Sequence, residues 1–229
     1  MLEESVREVA SGLRNRGRSF EIVVVENGSS DDTAAIAQRL AGEFPELRAL
    51  SLPEPDYGRA LRAGLLAAVG DVVVNFDVDF CDLGFLDRAV PLVEPADGPA
   101  VVVGSKRTVG SADTRSWQRR MVTGVFSSLL RYGFGLSVSD THGVKAMRRE
   151  AVAPLAQHCR NGGDLFDTEL ILRAERAGLR SAEIPVEVIE KRPARSSIGA
   201  RIPRTVKGLV ALRWALWRER LPGGSPAVM

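Results

Sequence analysis

The sequence contains few cysteine and histidine residues and no long hydrophobic run. Of its 229 residues, two are cysteine and two are histidine. Cys81 and Cys159 are too few for a disulfide scaffold and form no Cys-x-x-Cys pair, which indicates a reducing compartment. No apolar run reaches the ~20 residues that cross a bilayer, and the start has no basic region followed by an apolar stretch. We therefore expect a cytoplasmic protein without a secretory signal, which leaves room for contact with a membrane surface.

The chain also lacks an excess of charge of one sign. Lys and Arg number 31 against 29 Asp and Glu, a net charge of +2. This balance argues against a generic nucleic-acid binder, whose basic excess is larger. With 45% hydrophobic and 26% charged residues, the composition is that of a soluble globular protein. The length predicts one domain over residues 1–221, followed by a frayed tail at 222–229.

Strand and helix patterns alternate through the first half of the chain. Short apolar runs predict strands, and segments of helical periodicity between them predict helices. Ser30 is the expected N-cap of the first of these helices. This alternation predicts an α/β fold with a largely parallel sheet. The predicted strands cover 21–25, 47–52, 71–76 and 100–103, and the helices 30–43, 58–69 and 85–93.

The second half of the chain is predicted to be more helical than the first. The patterns predict helices at 117–132, 167–177 and 205–221, a strand at 181–190 and a basic loop at 192–204. Trp214 and Trp217 lie in the last helix together with Lys207, Arg213 and Arg218. Aromatic and cationic residues together favour a helix on a lipid surface. Packing of the same helix against the domain is the alternative.

Two carboxylates follow the apolar run 72–74. Asp77 and Asp79 stand two residues apart just beyond a predicted strand. In parallel α/β sheets, ligands bind beyond the carboxyl ends of the strands. Two hard oxygen ligands at this position suit Mg²⁺ or Mn²⁺ bridging a diphosphate. The alternative is a solvated strand end that caps the next helix.

A polar loop over residues 26–33 follows an earlier strand and opens a helix. Its glycine permits a tight turn, and its polar side chains suit contacts with a nucleotide base and ribose. The alternative is that the loop carries only turn and cap chemistry. The candidate binding residues here are Glu26, Asn27, Gly28, Ser29 and Asp31.

The order of these motifs resembles the family 2 glycosyltransferases with the GT-A fold. Similarity is greatest to the polyprenyl-phosphate, or dolichyl-phosphate, mannosyl- and glucosyltransferases. Each motif is short, but their order and spacing match over about residues 3 to 210. The matching elements are the loop 26–33, Gly58-x-Ala60-x-x-x-Gly64, Gly70-Asp71, Asp77-x-Asp79, Gly104-Ser105-Lys106, and the segments 140–145, 169–174 and 183–186.

The resemblance implies a Rossmann-like GT-A sheet and a nucleotide-diphosphate sugar bound across the first half of the chain. GDP-mannose or UDP-glucose is the implied donor, and a polyprenyl phosphate is the implied acceptor, with inversion at the anomeric carbon. Asp77 and Asp79 would hold the metal ion, Mg²⁺ or Mn²⁺. The loop 26–33, with Gly58 and Asp77, would bind the nucleotide. Asp79, Lys106 and Arg192 are the implied catalytic residues.

A phosphate acceptor is already ionised at neutral pH, so the transfer needs cations rather than a strong general base. Arg suits bidentate contact with phosphate. His142 beside Asp140 invites an acid–base pair, whereas a structural hydrogen bond in a loop is the simpler interpretation. The candidate cations are Lys106, Arg107, Arg119, Lys145 and Arg192.

The beginning of the chain departs from the family pattern. The family starts with a strand that ends in Pro-x-x-Asn-Glu, and residues 2–5 align with the end of that motif, without its strand. Loss of this strand would leave backbone groups unpaired. Two expectations follow: the natural start lies upstream, or the neighbouring strands close the gap.

Two other functions stay open at this point. The first is sugar transfer to a saccharide or small hydroxyl acceptor, for which Asp140 is the candidate base. The second is a non-catalytic domain that binds nucleotide sugars. The second is favoured by the missing strand and by Cys81, which stands where relatives often place a polar residue that contacts the metal.

Overall fold

The computed structural model describes residues 1–105, 124, 128–186 and 198–218. In the first half, strands and helices alternate as the sequence predicts. The strands are β1 (Ile22–Asn27), β2 (Leu47–Leu52), β3 (Val72–Asn75) and β4 (Val101–Ser105). The helices are α1 (Leu2–Arg14), α2 (Thr33–Glu43), α3 (Tyr57–Ala67) and α4 (Leu83–Val93).

In its described part, the second half adds two short strands and three longer helices to this framework. They are β5 (Lys145–Arg148), α5 (Arg149–His158), a 3₁₀ turn (Gly163–Leu165), α6 (Phe166–Arg176), β6 (Ser181–Pro185) and α7 (Ile198–Arg218). Residues 128–134 are also helical. The predicted helix 117–132 and strand 181–190 fall partly outside the described residues.

Two local predictions are wrong. Helix α2 begins at Thr33 with Asp32 as its N-cap residue, not at Ser30. The segment 198–204, expected to be a loop, belongs to α7. The docking of Leu209, Leu212 and Leu216 in the core stabilises α7 as a whole, and such tertiary packing outweighs local preference.

The six strands that the structure describes form two sheets, not one. Strands β1 and β2 pair in parallel, while the order of the second sheet is β3-β5-β4-β6. In that sheet, β5 is antiparallel to β3 and β4, and β6 is parallel to β4. Among the described strands, β1 and β3 do not pair with each other. The expectation that neighbouring strands close the gap is therefore wrong.

The two sheets are nevertheless aligned. Glu21, just before β1, accepts hydrogen bonds from the N–H groups of Val69 (2.6 Å) and Gly70 (3.2 Å), just before β3. Burial alone would raise the pKa of Glu21, but these bonds and the Arg48 guanidinium outweigh it and hold the pKa below its ordinary value of 4.5. The starts of β1 and β3 consequently lie side by side. Helix α1 extends from the end of β3, where the Ser5 hydroxyl donates to the Val78 carbonyl, to the start of β2, where Arg14 pairs with Glu46. Since β1 is parallel to β2, the carboxyl ends of β1 and β3 share one edge.

Helices cover both faces of the sheets. Val6 and Ala10 of α1 pack with Leu40 of α2, and half-buried Ile22 and Val24 of β1 lie against this cluster. On α4, Phe85 packs on β4 and β5. The largest cluster joins β4, α3, α5, α6 and α7. Strand β4 is buried along its whole length, whereas β3 is only half-buried.

We predict that Gly58→Ala destabilises the fold by about 1–3 kcal/mol, the usual cost of overpacking. A Cβ at this position would lie 2.7 Å from Phe166 Cβ and 2.8 Å from the Gly163 nitrogen. Gly42→Ala is the matched control, because nothing lies within 4 Å of its Cβ and Ala favours a helix by up to about 1 kcal/mol. Denaturant unfolding measures both, and equal stability of the two variants would contradict the packing.

Candidate active site

The carboxyl ends of β3, β4 and β6 meet at one edge of the second sheet. These three strands run in the same direction, and β5 begins at that edge. The register places Lys145, the first residue of β5, between Asn75 of β3 and Val103 of β4. The loops after β3 and before β5 are therefore neighbours, which is the position where α/β sheets bind ligands.

Asp77 and Asp79 lie in a tight turn beyond β3. The Phe80 N–H donates to the Asp77 carbonyl (2.9 Å), and these two residues also form an isolated bridge. The side chain of Asp77 is exposed, and that of Asp79 is half-buried. A single short turn thus carries both carboxylates at the sheet edge.

Asp82 serves a structural purpose in the same segment. Its Oδ1 accepts a hydrogen bond from the Phe85 N–H (2.9 Å) and caps α4. The Cys81 thiol lies 3.6 Å from the Asp77 carbonyl and donates to it. Because the Asp82 carboxylate caps α4, Asp77 and Asp79 are the carboxylates of this loop that remain candidates for binding a cation.

The loop after β1 is held by its own side chains. Glu26 is buried and accepts a hydrogen bond from the Ser29 N–H. Gly28 has φ +62°, and a Cβ there would lie 2.8 Å from the Glu54 carbonyl carbon. The exposed Asp31 carboxylate accepts bonds from the N–H and hydroxyl of Thr33. Glu26 and Gly28 thus shape the loop, and Ser29 lies exposed at its rim.

Asn27 connects this loop to two others. Its Oδ1 accepts a bond from the Asp56 N–H (2.7 Å), and Asp56 Oδ1 accepts bonds from Gly163 (2.8 Å) and Arg59 (2.9 Å). Burial alone would raise the pKa of Asp56, but these N–H bonds and the Arg59 charge hold it below its ordinary value of 3.8. The link fixes the loops after β1 and β2 against the turn that precedes α6.

Gly58 lies beside this link. It is buried in the first turn of α3, against Phe166 and Gly163. The absence of a side chain lets α3 and the turn before α6 approach closely. The structure therefore gives Gly58 a packing role at the place where the sequence predicts nucleotide binding.

Lys145 is not available as a cation for an acceptor phosphate, which corrects the expectation for this residue. Its side chain is 1% exposed, and its Nζ lies 3.0 Å from Asp167 Oδ1 and donates to the Gly143 carbonyl at 2.7 Å. Asp167 is 2% exposed. A buried lysine requires such a partner, because an unpaired charge in the interior is costly.

The segment before β5 is held in place by acidic side chains. Glu183 of β6 accepts bonds from the N–H groups of Ser139 (2.6 Å) and Asp140 (2.9 Å). Asp140 Oδ1 in turn accepts the His142 N–H (3.0 Å), and the His142 ring contacts Thr141 Oγ1 (2.9 Å). Asp140 thus supports the loop through a hydrogen bond to the backbone of His142. This agrees with the simpler interpretation of the sequence, a structural hydrogen bond in a loop.

Glu169 also has a structural role. Its Oε2 accepts bonds from the backbone of Arg160 and Asn161, and its Oε1 accepts a bond from Arg173 Nε at 2.8 Å. Asp56, Glu183 and Asp167 are not among the candidate site residues that the sequence predicts, although Glu183 lies in the matching segment 183–186. Each acts through a partner far away in sequence, and no local pattern signals such a pairing.

Four of the predicted phosphate contacts fall outside the described residues. Lys106 directly follows β4 in the sequence, and Arg192 follows β6 by seven positions. Their roles stay predictions. The other two are Arg107 and Arg119.

Comparison with solved structures identifies the class of fold. The chain superimposes on glucosyl-3-phosphoglycerate synthase from Mycobacterium tuberculosis, solved with Mn²⁺, uridine diphosphate and glucosyl-3-phosphoglycerate. The TM-score is 0.59 and the identity 23%, over 85% of this chain and 68% of that one. The predicted GT-A type of α/β fold is confirmed.

Sequence comparison gives the family. The family model for glycosyl transferase family 2 matches residues 1–155, so the chain belongs to that family, as predicted. It is 32% identical to glycosyltransferase AglD of Haloferax volcanii over 191 residues, 81% of this chain. It is also 27% identical to a dolichyl-phosphate beta-glucosyltransferase of Trichomonas vaginalis over 238 residues, 99% of this chain.

The relatives are longer than this chain. It spans 30% of the length of the Haloferax protein and 71% of that of the Trichomonas protein. Throughout the described ranges, no helix combines the length and the apolar character needed to cross a membrane.

We predict that Asp167→Ala lowers the free energy of unfolding by about 3–5 kcal/mol, because it leaves the Lys145 charge buried and unpaired. Replacing both partners, Lys145→Met with Asp167→Leu, should recover most of the loss. Arg18→Ala is the control, since its pair with Glu94 is exposed and should contribute about 1 kcal/mol or less. Urea unfolding measures all three, and a small loss for Asp167→Ala alone would contradict the buried pair.

Proposed function

We propose that the chain is an inverting, metal-dependent glycosyltransferase. It moves a hexose, mannose or glucose, from a nucleotide-diphosphate sugar to a polyprenyl phosphate. The observation that carries the proposal is the turn with Asp77 and Asp79, which lies at the same sheet edge as the loop 26–33 in a family 2 chain. The name of the dolichyl-phosphate relative supports the acceptor class.

The donor nucleotide lies on the loop 26–33 in this proposal. Asn27 and Glu26 fix the backbone of the loop, and Ser29 and Asp31 lie at its exposed rim. A pre-formed loop binds a nucleotide without the cost of ordering itself. The diphosphate then extends from this loop toward the turn with Asp77.

The residues of the turn fit a divalent cation. Mg²⁺ is usually held by one or two carboxylates, with substrate phosphates and water completing its shell. In the described part of the chain, no three His, Cys, Asp or Glu side chains gather as a metal site. Asp77 and Asp79 would hold the ion. When bound, the ion stabilises the charge that develops on the leaving diphosphate.

The acceptor needs no strong base. A phosphate oxygen attacks the anomeric carbon and forms the new C–O bond, while the bond from that carbon to the diphosphate breaks, which inverts the configuration. Cations are needed to hold the acceptor phosphate. We assign this role to Lys106 and Arg192, and not to Lys145, whose charge is already paired with Asp167.

Helix α7 offers a surface for the lipid part of the acceptor. One of its faces is buried through Leu209, Leu212 and Leu216. A second face of the helix, beside the buried one, exposes an apolar stripe at intervals of three or four residues, in which Trp214 is 59% and Trp217 56% exposed. The helix thus packs on the domain and still presents aromatic residues outward. We propose that this stripe rests on the membrane, and it consists of Val206, Val210, Trp214 and Trp217.

Cationic side chains of α7 lie near the apolar stripe. The Arg218 guanidinium lies 4.7 Å from the centroid of the Trp214 ring, and Lys207 is exposed. Tyr132, on the neighbouring helical segment, is 85% exposed. Aromatic rings at the headgroup level, with cations beside them, are typical of helices that lie on anionic membranes.

We predict that Asp79→Asn lowers sugar transfer by about 100-fold or more, because charge stabilisation in the transition state is lost. The assay is turnover of GDP-mannose and UDP-glucose with a short polyprenyl phosphate and Mn²⁺ or Mg²⁺. Asp97→Asn is the matched control, at the opposite end of the second sheet before β4. Unchanged turnover in Asp79→Asn would contradict the metal role.

We also predict that replacing Trp214 and Trp217 with Ala weakens binding to vesicles by about 10-fold or more, because two interfacial side chains are lost. Vesicles of phosphatidylglycerol and phosphatidylcholine in equal parts are the probe, read by co-sedimentation. The control replaces both with Phe, which keeps an aromatic ring. Both variants should unfold like the parent, since these side chains are exposed. Equal binding of the Ala variant and the parent would show that the stripe does not contact lipid.

A further inference from the structure

His142 is an exposed side chain in a segment whose other residues are covered. It is the one exposed residue among residues 141–147, which are all described. Thr141 on one side and Val144 on the other are buried. The imidazole ring is therefore reachable from solvent, although the backbone that carries it lies against the protein.

The backbone on both sides of His142 is anchored to the second sheet. On the amino side, the Asp140 N–H donates to Glu183 of β6 (2.9 Å). On the carboxyl side, the Gly104 N–H of β4 donates to the Val144 carbonyl (2.9 Å). The position of His142 is consequently fixed relative to the ends of β4 and β6.

Two buried side-chain contacts join the same segment to the first turn of α6. Thr141 Oγ1 lies 2.9 Å from Thr168 Oγ1, and Lys145 pairs with Asp167 at 3.0 Å. None of these four side chains is more than 2% exposed. A layer of buried polar side chains thus lies beneath the loop and connects it with α6.

This polar layer is costly to bury. The second carboxylate oxygen of Asp167, Oδ2, is buried and has no hydrogen-bond partner within the described part of the chain. A buried polar atom without a partner costs free energy, and a buried ion pair is seldom a net gain. Contacts that lock a side chain from beneath are typical of functional sites, because a site residue needs a fixed orientation. The layer is therefore better explained by the position that it gives His142 than by stability.

The polar layer also sets the direction of the imidazole ring. His142 Nδ1 lies 2.9 Å from Thr141 Oγ1, the same hydroxyl that contacts Thr168. The backbone N–H of His142 is held by Asp140 (3.0 Å). Since Nδ1 faces the buried hydroxyl, Nε2 lies across the ring and faces away from it.

The order of the strands places His142 between two parts of the proposed site. Antiparallel pairing sets Asn75 of β3 opposite Lys145 of β5. His142 precedes Lys145 by three residues, so it lies beyond the strand ends, at the level of the turn with Asp77. Strand β5 lies between β3 and β4, and Lys106 follows β4 in the sequence. The loop with His142 thus lies between the turn after β3 and the end of β4.

This is the position of the hexose in the proposed reaction. The anomeric carbon must lie between the leaving diphosphate, at the turn with Asp77, and the attacking phosphate oxygen, which Lys106 would hold. Sugar hydroxyl groups both donate and accept hydrogen bonds. Whichever ring nitrogen carries the proton, Nε2 of His142 can therefore pair with a hydroxyl.

We propose that His142 binds the hexose of the donor through a hydrogen bond between Nε2 and a sugar hydroxyl, and that Thr141 and Thr168 orient its ring. His142 is a binding residue in this inference, and the two threonines are positioning residues. The inference rests on the proposed function. One neutral hydrogen bond changes affinity by up to about 10-fold, which sets the size of the expected effects.

The test compares two substitutions that mimic different nitrogens of the ring. The amide of His142→Gln reaches the place of Nε2, whereas the amide of His142→Asn reaches only that of Nδ1. Calorimetry with Mn²⁺ measures the Kd of UDP-glucose, GDP-mannose, UDP and GDP. For the nucleotide sugar that the parent binds, we expect His142→Asn to raise the Kd by about 10-fold and His142→Gln by about 3-fold or less. The Kd of the nucleoside diphosphate should stay at the parental value in both variants.

The other outcomes separate this inference from the proposed function. A loss in His142→Gln with none in His142→Asn would show that only the contact of Nδ1 with Thr141 matters. An equal loss for the nucleoside diphosphate would assign His142 to the nucleotide. Parental binding of the nucleotide sugar by both variants, with weaker binding of a short polyprenyl phosphate or without it, would exclude the hexose contact. Each of these results overturns the inference alone, whereas a parent that binds neither UDP nor GDP overturns the proposed function and the inference with it.

Thr141→Val tests the positioning role. We expect it to weaken binding of the nucleotide sugar and to add little to the loss in His142→Asn, because both substitutions remove the same contact. Thr141→Ser keeps the hydroxyl and is the matched control. Full additivity of Thr141→Val and His142→Asn, in variants with the near-ultraviolet spectrum of the parent, would overturn the positioning role.

Discussion

Within the described ranges, the fold depends on two sheets that are held in alignment without a backbone ladder between them. Glu21 joins the starts of β1 and β3, and α1 and α3 pack across the junction from opposite faces. Because the strands begin together and run in one direction, their carboxyl ends share an edge. The candidate active site is a consequence of this alignment, since it brings the loop after β1 and the turn after β3 to the same side of the molecule.

The charged groups near this edge divide into two kinds. Those that shape the loops are buried or bonded to backbone, as with Asp56, Glu183 and the Lys145–Asp167 pair. Asp77 and Asp79 are different, because they lie in an exposed or half-buried turn at the strand end. Only carboxylates of the second kind are positioned to meet a cation and a diphosphate from solvent, which is why the proposed chemistry is assigned to them.

The sequence predicts the features that depend on neighbouring residues. The runs 22–27 and 72–75 are recognisable as strands because apolar β-branched residues follow one another, and the polar residues directly after them locate the loops. Strand β5 has no such signal, because Lys145 is charged and only long-range pairing with β3 and β4 makes it a strand. Asp56 and Gly163, 107 positions apart, meet for the same kind of reason.

The most direct test of the account is nuclear magnetic resonance of the protein with Mn²⁺, in the presence and absence of GDP or UDP. A paramagnetic ion broadens the signals of nearby nuclei. We expect Mn²⁺ with a nucleoside diphosphate to broaden the amides of residues 77–80 first and then those of residues 26–33, and to affect least the amide of Asp97, which precedes β4 at the opposite end of the second sheet. Broadening centred elsewhere, or none at residues 77–80, would contradict it.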